Sequence, residues 1–232
     1  LLSTSEQDAR PHIELAFREY GLPVCIRSDS GSPFATSSAP GRLSSLAVWW
    51  VKLGILPERI APGHPEQNGR LERFHLTLEE AIPSVDRTLA EQQRLFDGHR
   101  GEYNHVRPHE ALDQRVPASA YETSWRGYPV VVGSPEYAHD ADVRRVNAKG
   151  VVKWRSHEVR LTRLLAGEPV FFTDVGDEQW EIWFGPVFLA TATLRDEKIR
   201  LCYERSHSTQ ARPLTPNSED GERPSVQSRM SA

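Results

Sequence analysis

The spacing of the apolar residues changes once along this 232-residue chain, and that change limits the folds open to it. Up to Tyr128-Pro129, segments with apolar residues at helical spacing alternate with short β-rich runs. Beyond that point only short β-type runs occur, at residues 143–146, 151–154, 159–161, 170–173, 180–184, 187–194 and 199–202. Gly150, Gly167, Gly176-Asp177 and Gly185-Pro186 punctuate them. Alternating strands and helices mark an α/β unit. Closely spaced strands with turn signals mark a small barrel or sandwich. The length allows one large or two modest domains. The spacing divides the chain into residues 1–126, residues 127–204 and a tail over 205–232. The tail is rich in Ser, Thr, Pro, Glu and Arg, with almost no large apolar residue, so it is expected to be disordered.

Within the first unit, residues 3–20 read as a helix that Ser3, Thr4 or Ser5 can cap; Gly21 and Pro23 end it. Val24-Cys25-Ile26 reads as a buried strand opening into a polar loop, with Asp29 at the strand's C-terminal end. A helix is expected over 42–53, a brief strand over 58–61, and a helix over 66–82 with Leu71, Phe74, Leu78 and Ala81 as its stripe. A further helix over 89–103 and a short helical piece near 117–121 complete the unit.

Composition alone leans away from nucleic acid. The net charge is −4 and the pI near 6.2, whereas nucleic-acid binders usually carry a basic patch or stripe. The basic residues are mostly Arg, whose forked donors suit phosphate but serve surface ion pairs equally. The longest apolar stretch, 46–51, is far short of a membrane span and ends at Lys52. No positively charged segment leads into an apolar one over the first residues, so a secretory signal is not expected there. Cys25 and Cys202 form no metal-ligand spacing, which fits a reducing, cytoplasmic location. The first residue is not Met, so the chain is expected to be a processed product or a piece of a longer polypeptide.

Two carboxylates stand out. Asp29, at a strand's C-terminal end beside small residues, is placed where α/β sheets open ligand crevices; in Ser28-Asp29-Ser30-Gly31 it is equally a turn former. Glu72 lies off the apolar stripe of its helix, where it can meet a cleft or simply be solvated. Asn68 and Gly69 shape the entry to that helix, and Arg70 and Arg73 either contact phosphate or pair with nearby Glu residues. His105 and His109 have the spacing of a metal pair, but Pro108 breaks the helix between them, so they read as loop residues. The six tryptophans read as packing rather than base-stacking platforms.

Taken in order, Arg27-Ser28-Asp29-Ser30-Gly31-Ser32-Pro33-Phe34, then Gly63-His64-Pro65-Glu66-Gln67-Asn68-Gly69-Arg70-Leu71-Glu72-Arg73-Phe74-His75, then Tyr103-Asn104-His105-Val106-Arg107-Pro108-His109-Glu110-Ala111-Leu112 resemble the integrase core of bacterial insertion-sequence transposases. The resemblance covers roughly residues 9–121. It implies a partial RNase H-like fold and a catalytic Asp, Asp, Glu triad in which Asp29 is the second Asp and Glu72 the Glu. It implies Mg²⁺ or Mn²⁺, held by those carboxylates, and DNA strand cutting and joining as the activity. Phosphoryl transfer gathers negative charge on the attacking and leaving oxygens, which two hard cations roughly 3.5–4 Å apart can stabilise. The triad's first Asp, with the strand that carries it, has no counterpart here; Asp8 falls within the expected first helix. The core is therefore expected to be incomplete, with two of five strands and an exposed edge.

The β-rich segment over 143–203 resembles the SH3-like barrel that follows the core in these transposases, which implies binding to DNA or to a second protomer. Arg144, Arg145, Lys149 and Lys153, with Arg155 and Arg160, are close enough in sequence to form a basic face, or else a solvated barrel surface. DNA and a second copy of the chain are thus the expected partners, and a membrane is not.

Overall fold

Ser44 opens the helix that the two hydrophobic cores share. Its hydroxyl oxygen accepts from the Ala47 N–H at 3.1 Å and donates to the Phe34 carbonyl at 2.9 Å, capping the helix that follows. That helix (α2, Ser45–Lys52) is buried on every side: Leu46, Ala47, Val48, Trp49, Trp50 and Val51 are all withdrawn from solvent. A helix apolar all round must sit between two packing partners, and α2 does. Ala47, Val48 and Val51 belong to one hydrophobic core with Val152, Trp154, Phe184 and Leu189. Leu46, Trp49 and Trp50 belong to a second, with Phe17, Leu22, Leu53 and Ile55.

The computed structural model describes residues 6–29, 31, 33–36, 39–60, 64–82 and 87–204; the tail expected to be disordered lies outside them. The first helix (α1, Glu6–Tyr20) accommodates Pro11 and inserts Phe17 against Trp49, ring centroids 5.4 Å apart. Two short strands, β1 (Cys25–Ser28) and β2 (Leu56–Arg59), form a parallel pair with α2 as their crossover. Among the described residues this sheet has only those two strands. Arg126 ties the return of the chain to this unit: its guanidinium donates to the carbonyls of Pro23, Leu53 and Gly54 at 2.8–2.9 Å.

The next two helices, α3 (Gly69–Ala81) and α4 (Leu89–His105), contain no buried residue. They meet through an edge-on contact of Phe74 with Tyr103, centroids 5.4 Å apart. A capping box sets the start of α4: Thr88 accepts from the Glu91 N–H, and the Glu91 carboxylate accepts from the Thr88 N–H. Those bonds hold the exposed Glu91 carboxyl below its ordinary pKa. A short helix, α5 (Pro117–Ala120), packs on α4.

The β-rich unit comprises β3 (Asp142–Arg145), β4 (Val151–Trp154), β5 (His157–Arg160), β6 (Pro169–Gly176), β7 (Gln179–Phe184), β8 (Val187–Arg195) and β9 (Lys198–Cys202). Five of these make one antiparallel sheet in the order β3-β6-β7-β8-β9, and β4-β5 is a separate hairpin. The expected SH3-like barrel is not closed by hydrogen bonds: β3 and β9 are edges, and the hairpin touches both by packing, β4 on β3 and β5 on β9. Trp154 on the hairpin stacks on Phe172 of the sheet at 4.9 Å, so side chains join the two layers. Mixed helix and sheet, as the apolar spacing implies, is what the chain forms.

Candidate active site and nucleic-acid interface

Because β1 and β2 are parallel and in register from Cys25↔Leu56 to Ser28↔Arg59, their carboxyl ends open at the same edge. Asp29 follows β1 at that edge, exposed. Its Oδ1 accepts from the Gly31 N–H at 3.1 Å, so the turn-forming role weighed from the sequence is real. That bond neither buries nor neutralises the carboxylate. The neighbouring Arg27 does not neutralise it either, being paired across the strands with Glu58 at 3.0 Å.

Glu72 occupies the first turn of α3 and is exposed. A 3-10 turn over Pro65–Asn68 feeds the helix, with Asn68 at the N-cap; its side chain makes no capping hydrogen bond. Glu66 is held by His64, Nδ1 to Oε1 at 2.7 Å, whereas Glu72 has no such partner among the described residues. A shallow groove lined by Gly69, Glu72, Arg73, Leu76, Thr77 and Glu80 runs along this face of α3. Arg70 and Arg73 are exposed and form no ion pair among the described residues, so the Glu-paired alternative is not realised. Asn68, Arg70, Glu72 and Arg73 thus share the start of one helix, while Asp29 comes from the strand edge.

Among the described residues, no group of three or more His, Cys, Asp or Glu side chains converges as a metal site. His105 is exposed, and His109 packs its ring edge-on against Tyr103 at 4.6 Å.

The proposed basic face is partly spent on internal contacts. Arg144 pairs with Asp142 at 2.5 Å, and Arg145 donates to the Gly167 carbonyl. Lys153 lies directly across the hairpin from Glu158. Arg155 sits over the rings of Trp154 and Trp180, 5.0 and 4.4 Å from their centroids. Lys149 and Arg160 are exposed. Two arginines singled out by no motif, Arg42 and Arg59, meet at the edge that carries Asp29. Their signal in the sequence is weak: a Gly41-Arg42 turn and one Arg at a strand end.

Residues 53–117 match the family described as the integrase core domain. Asn68, Arg70, Glu72, Arg73 and the 103–112 segment fall inside the match; Asp29 falls outside it. The chain is similar to the insertion element IS407 uncharacterized 31.7 kDa protein of Burkholderia multivorans (strain ATCC 17616 / 249). The two are 31% identical over 108 residues, 46% of this chain and 36% of that protein. The chain thus spans about a third of the length of that curated relative. A solved structure of the simian T-cell lymphotropic virus intasome, in complex with PP2A regulatory subunit B56 gamma, contains a chain 14% identical. That likeness covers 80% of this chain and 64% of the other at a TM-score of 0.38, too distant to bear on the arrangement of elements. Over residues 53–117, which contain Glu72 and its flanking residues, the chain is thus similar to the integrase core domain family.

Proposed function

We propose that this chain carries part of the catalytic core of a transposase that cuts DNA at element ends and joins the freed strands to a target. The observation that carries the proposal is the placement of Glu72. It stands exposed in the first turn of a helix within the integrase core match, and neither it nor the flanking Arg70 and Arg73 forms an ion pair among the described residues. Asp29, at the carboxyl edge of the parallel strands, is the second proposed carboxylate.

The donors suit Mg²⁺ or Mn²⁺ in kind, since both are hard carboxylates without a cationic partner. In number they do not suffice, because no trio converges among the described residues. When bound, a pair of such ions would stabilise the attacking and leaving oxygens of an in-line displacement. Asp29 and Glu72 supply oxygen ligands, and Arg70 and Arg73 hold a phosphodiester beside Glu72 by charge-assisted hydrogen bonds. Asn68 sets the helix entry and offers the DNA a neutral amide. The β-rich unit is read as a divergent SH3-like module using Lys149, Lys153, Arg144 and Arg145 toward DNA or a second copy of the chain. No helix among the described residues is long and apolar enough to cross a membrane, and a cytoplasmic site of action suits the substrate.

One observation favours a second reading, a non-catalytic remnant that binds DNA or oligomerises: only two candidate carboxylates are identified, and no group of three or more such ligands converges among the described residues. Incubating this chain, and any longer protein containing it, with element-end DNA and Mg²⁺ or Mn²⁺ separates the two. Cut and joined products support the transposase reading. Salt-sensitive binding without cutting in every form supports the remnant. Neither binding nor cutting refutes both.

A further inference from the structure

The carboxyl edge of the β1–β2 pair carries a second feature besides Asp29. Arg59 ends β2 directly opposite Ser28, and the Ile60 N–H donates to the Ser28 carbonyl at 3.1 Å. The Arg59 side chain is half-buried and donates from Nη2 to the backbone carbonyl of Arg42 at 2.6 Å. That same carbonyl accepts the Thr36 N–H at 3.2 Å, so the loop bearing Arg42 is fastened from two directions. A third contact holds it from beneath: Gly41 lies so close to β8 that an added Cβ would stand 2.7 Å from the Phe188 carbonyl oxygen. Arg42 itself is exposed and adopts the left-handed backbone conformation, φ 50°, which a non-glycine residue takes only at a cost.

The Arg59 guanidinium is therefore seated against the backbone of Arg42, so two positively charged residues share one edge although like charges repel. The pKa of Arg59 is lowered, first by its burial and then by the nearby charge of Arg42. Neither arginine forms an ion pair with an acidic side chain among the described residues. Such a pair offers an anionic group charge-assisted hydrogen bonds from two residues. The edge lies where parallel sheets open their ligand crevices, and it borders both Asp29 and the start of β8.

We infer that Arg42 and Arg59 form a phosphate clamp that grips the DNA backbone beside Asp29, at the seam between the α/β unit and the β-rich sheet. The clamp rests on the transposase reading and adds to it the contact that fixes the strand next to the first of its carboxylates. Each guanidinium takes up one backbone phosphate without reading the bases.

The test is the salt dependence of duplex DNA binding by the full chain, without divalent metal, followed by fluorescence anisotropy. Removing one phosphate contact lowers the slope of log Kobs against log salt by about 0.9. The variants are Arg42→Gln, which leaves the loop's backbone bonds intact, and the double Arg42→Gln/Arg59→Gln. Arg195→Gln, at the far end of β8, is the control. Slopes reduced by about 1 for the single and about 2 for the double, equally on unrelated sequences, support the clamp. Should the double fail to fold, as circular dichroism would report, the single variant decides. An unchanged slope in Arg42→Gln, while wild type binds, overturns the clamp and leaves the transposase reading standing. Absence of salt-dependent binding in wild type also overturns the clamp, while the transposase reading is decided separately by the cutting assay on longer proteins that contain this chain.

Discussion

Lys52 Nζ lies 2.6 Å from Glu168 Oε1, joining the end of α2 to the start of the β-rich sheet across 116 residues of chain. Both side chains are largely withdrawn from water, and the second carboxylate oxygen of Glu168 is buried without a hydrogen-bond partner. Breaking such a pair leaves one charge uncompensated and typically costs a few kcal/mol. Lys52→Met is expected to lower stability by about 2–3 kcal/mol. The double Lys52→Met/Glu168→Gln should recover part of that loss, giving a coupling of about 1–2 kcal/mol in a double-mutant cycle of denaturant unfolding. Additive single effects would show that the contact does not operate in solution.

Since α2 is common to both hydrophobic cores, the two units are expected to unfold together. Trp50, 1% exposed, stacks on Phe34 at 6.0 Å. Trp50→Ala should cost about 3–5 kcal/mol and should shift the far-ultraviolet and tryptophan-fluorescence transitions equally. Two separated transitions in the wild-type chain would contradict the shared-helix arrangement.

Tyr137 gives a pH signature. Its hydroxyl donates to the Pro169 carbonyl at 2.9 Å and accepts from the Gly185 N–H at 3.0 Å. Burial pushes its pKa up to about 12 from the ordinary 10.0. The folded state thus favours the protonated phenol. Its contribution is complete below the unfolded pKa and is lost as pH rises from about 10 to about 12. Tyr137→Phe should lower stability at neutral pH by about 1 kcal/mol and flatten the decline between those two pH values. An identical alkaline limb in both proteins would rule this role out.

The α3–α4 pair, having no buried residue, is expected to be the least protected of the helical segments. Native-state hydrogen exchange should show α2, β7 and β8 opening slowly and α3 and α4 quickly. Tyr103→Ala, which removes the ring joining Phe74, His99 and His109, should speed α3 exchange and leave α2 unchanged. Equal protection of α2 and α3 would count against this ranking.

Local structure was largely legible in the sequence because local signals set it. The Gly21 stop, the Gly54 stop and the Gly185-Pro186 turn all mark real ends of elements. The apolar spacing over 42–53 foretold a helix but not its burial between two cores, which depends on pairings distant in sequence. The motifs around Asp29 and Glu72 pointed to a candidate site because their residues are contiguous. Arg42 and Arg59 escaped notice because only the fold brings them together. The expected barrel is open because strand runs reveal where strands are, not whether the first and last of them pair. The basic face looked freer in sequence than it is, since Asp142 and the Gly167 carbonyl already engage two of its members.

Asp29 admits a substitution that separates its two roles. Asn retains the oxygen that accepts from Gly31 and the turn it supports, but loses the charge. Asp29→Asn is therefore expected to melt with the wild type while losing DNA cutting. Retained cutting would reduce Asp29 to a turn former.

The most direct measurement is metal-dependent strand cutting and joining by whichever form of the protein is active, comparing Glu72→Gln with Glu79→Gln on the same helix. Both residues are exposed, so neither change should disturb folding. Loss of a metal-holding carboxylate removes several kcal/mol of transition-state stabilisation, so Glu72→Gln should fall by roughly a thousandfold or more while Glu79→Gln stays near wild type. Full activity in Glu72→Gln would contradict the assignment of the site.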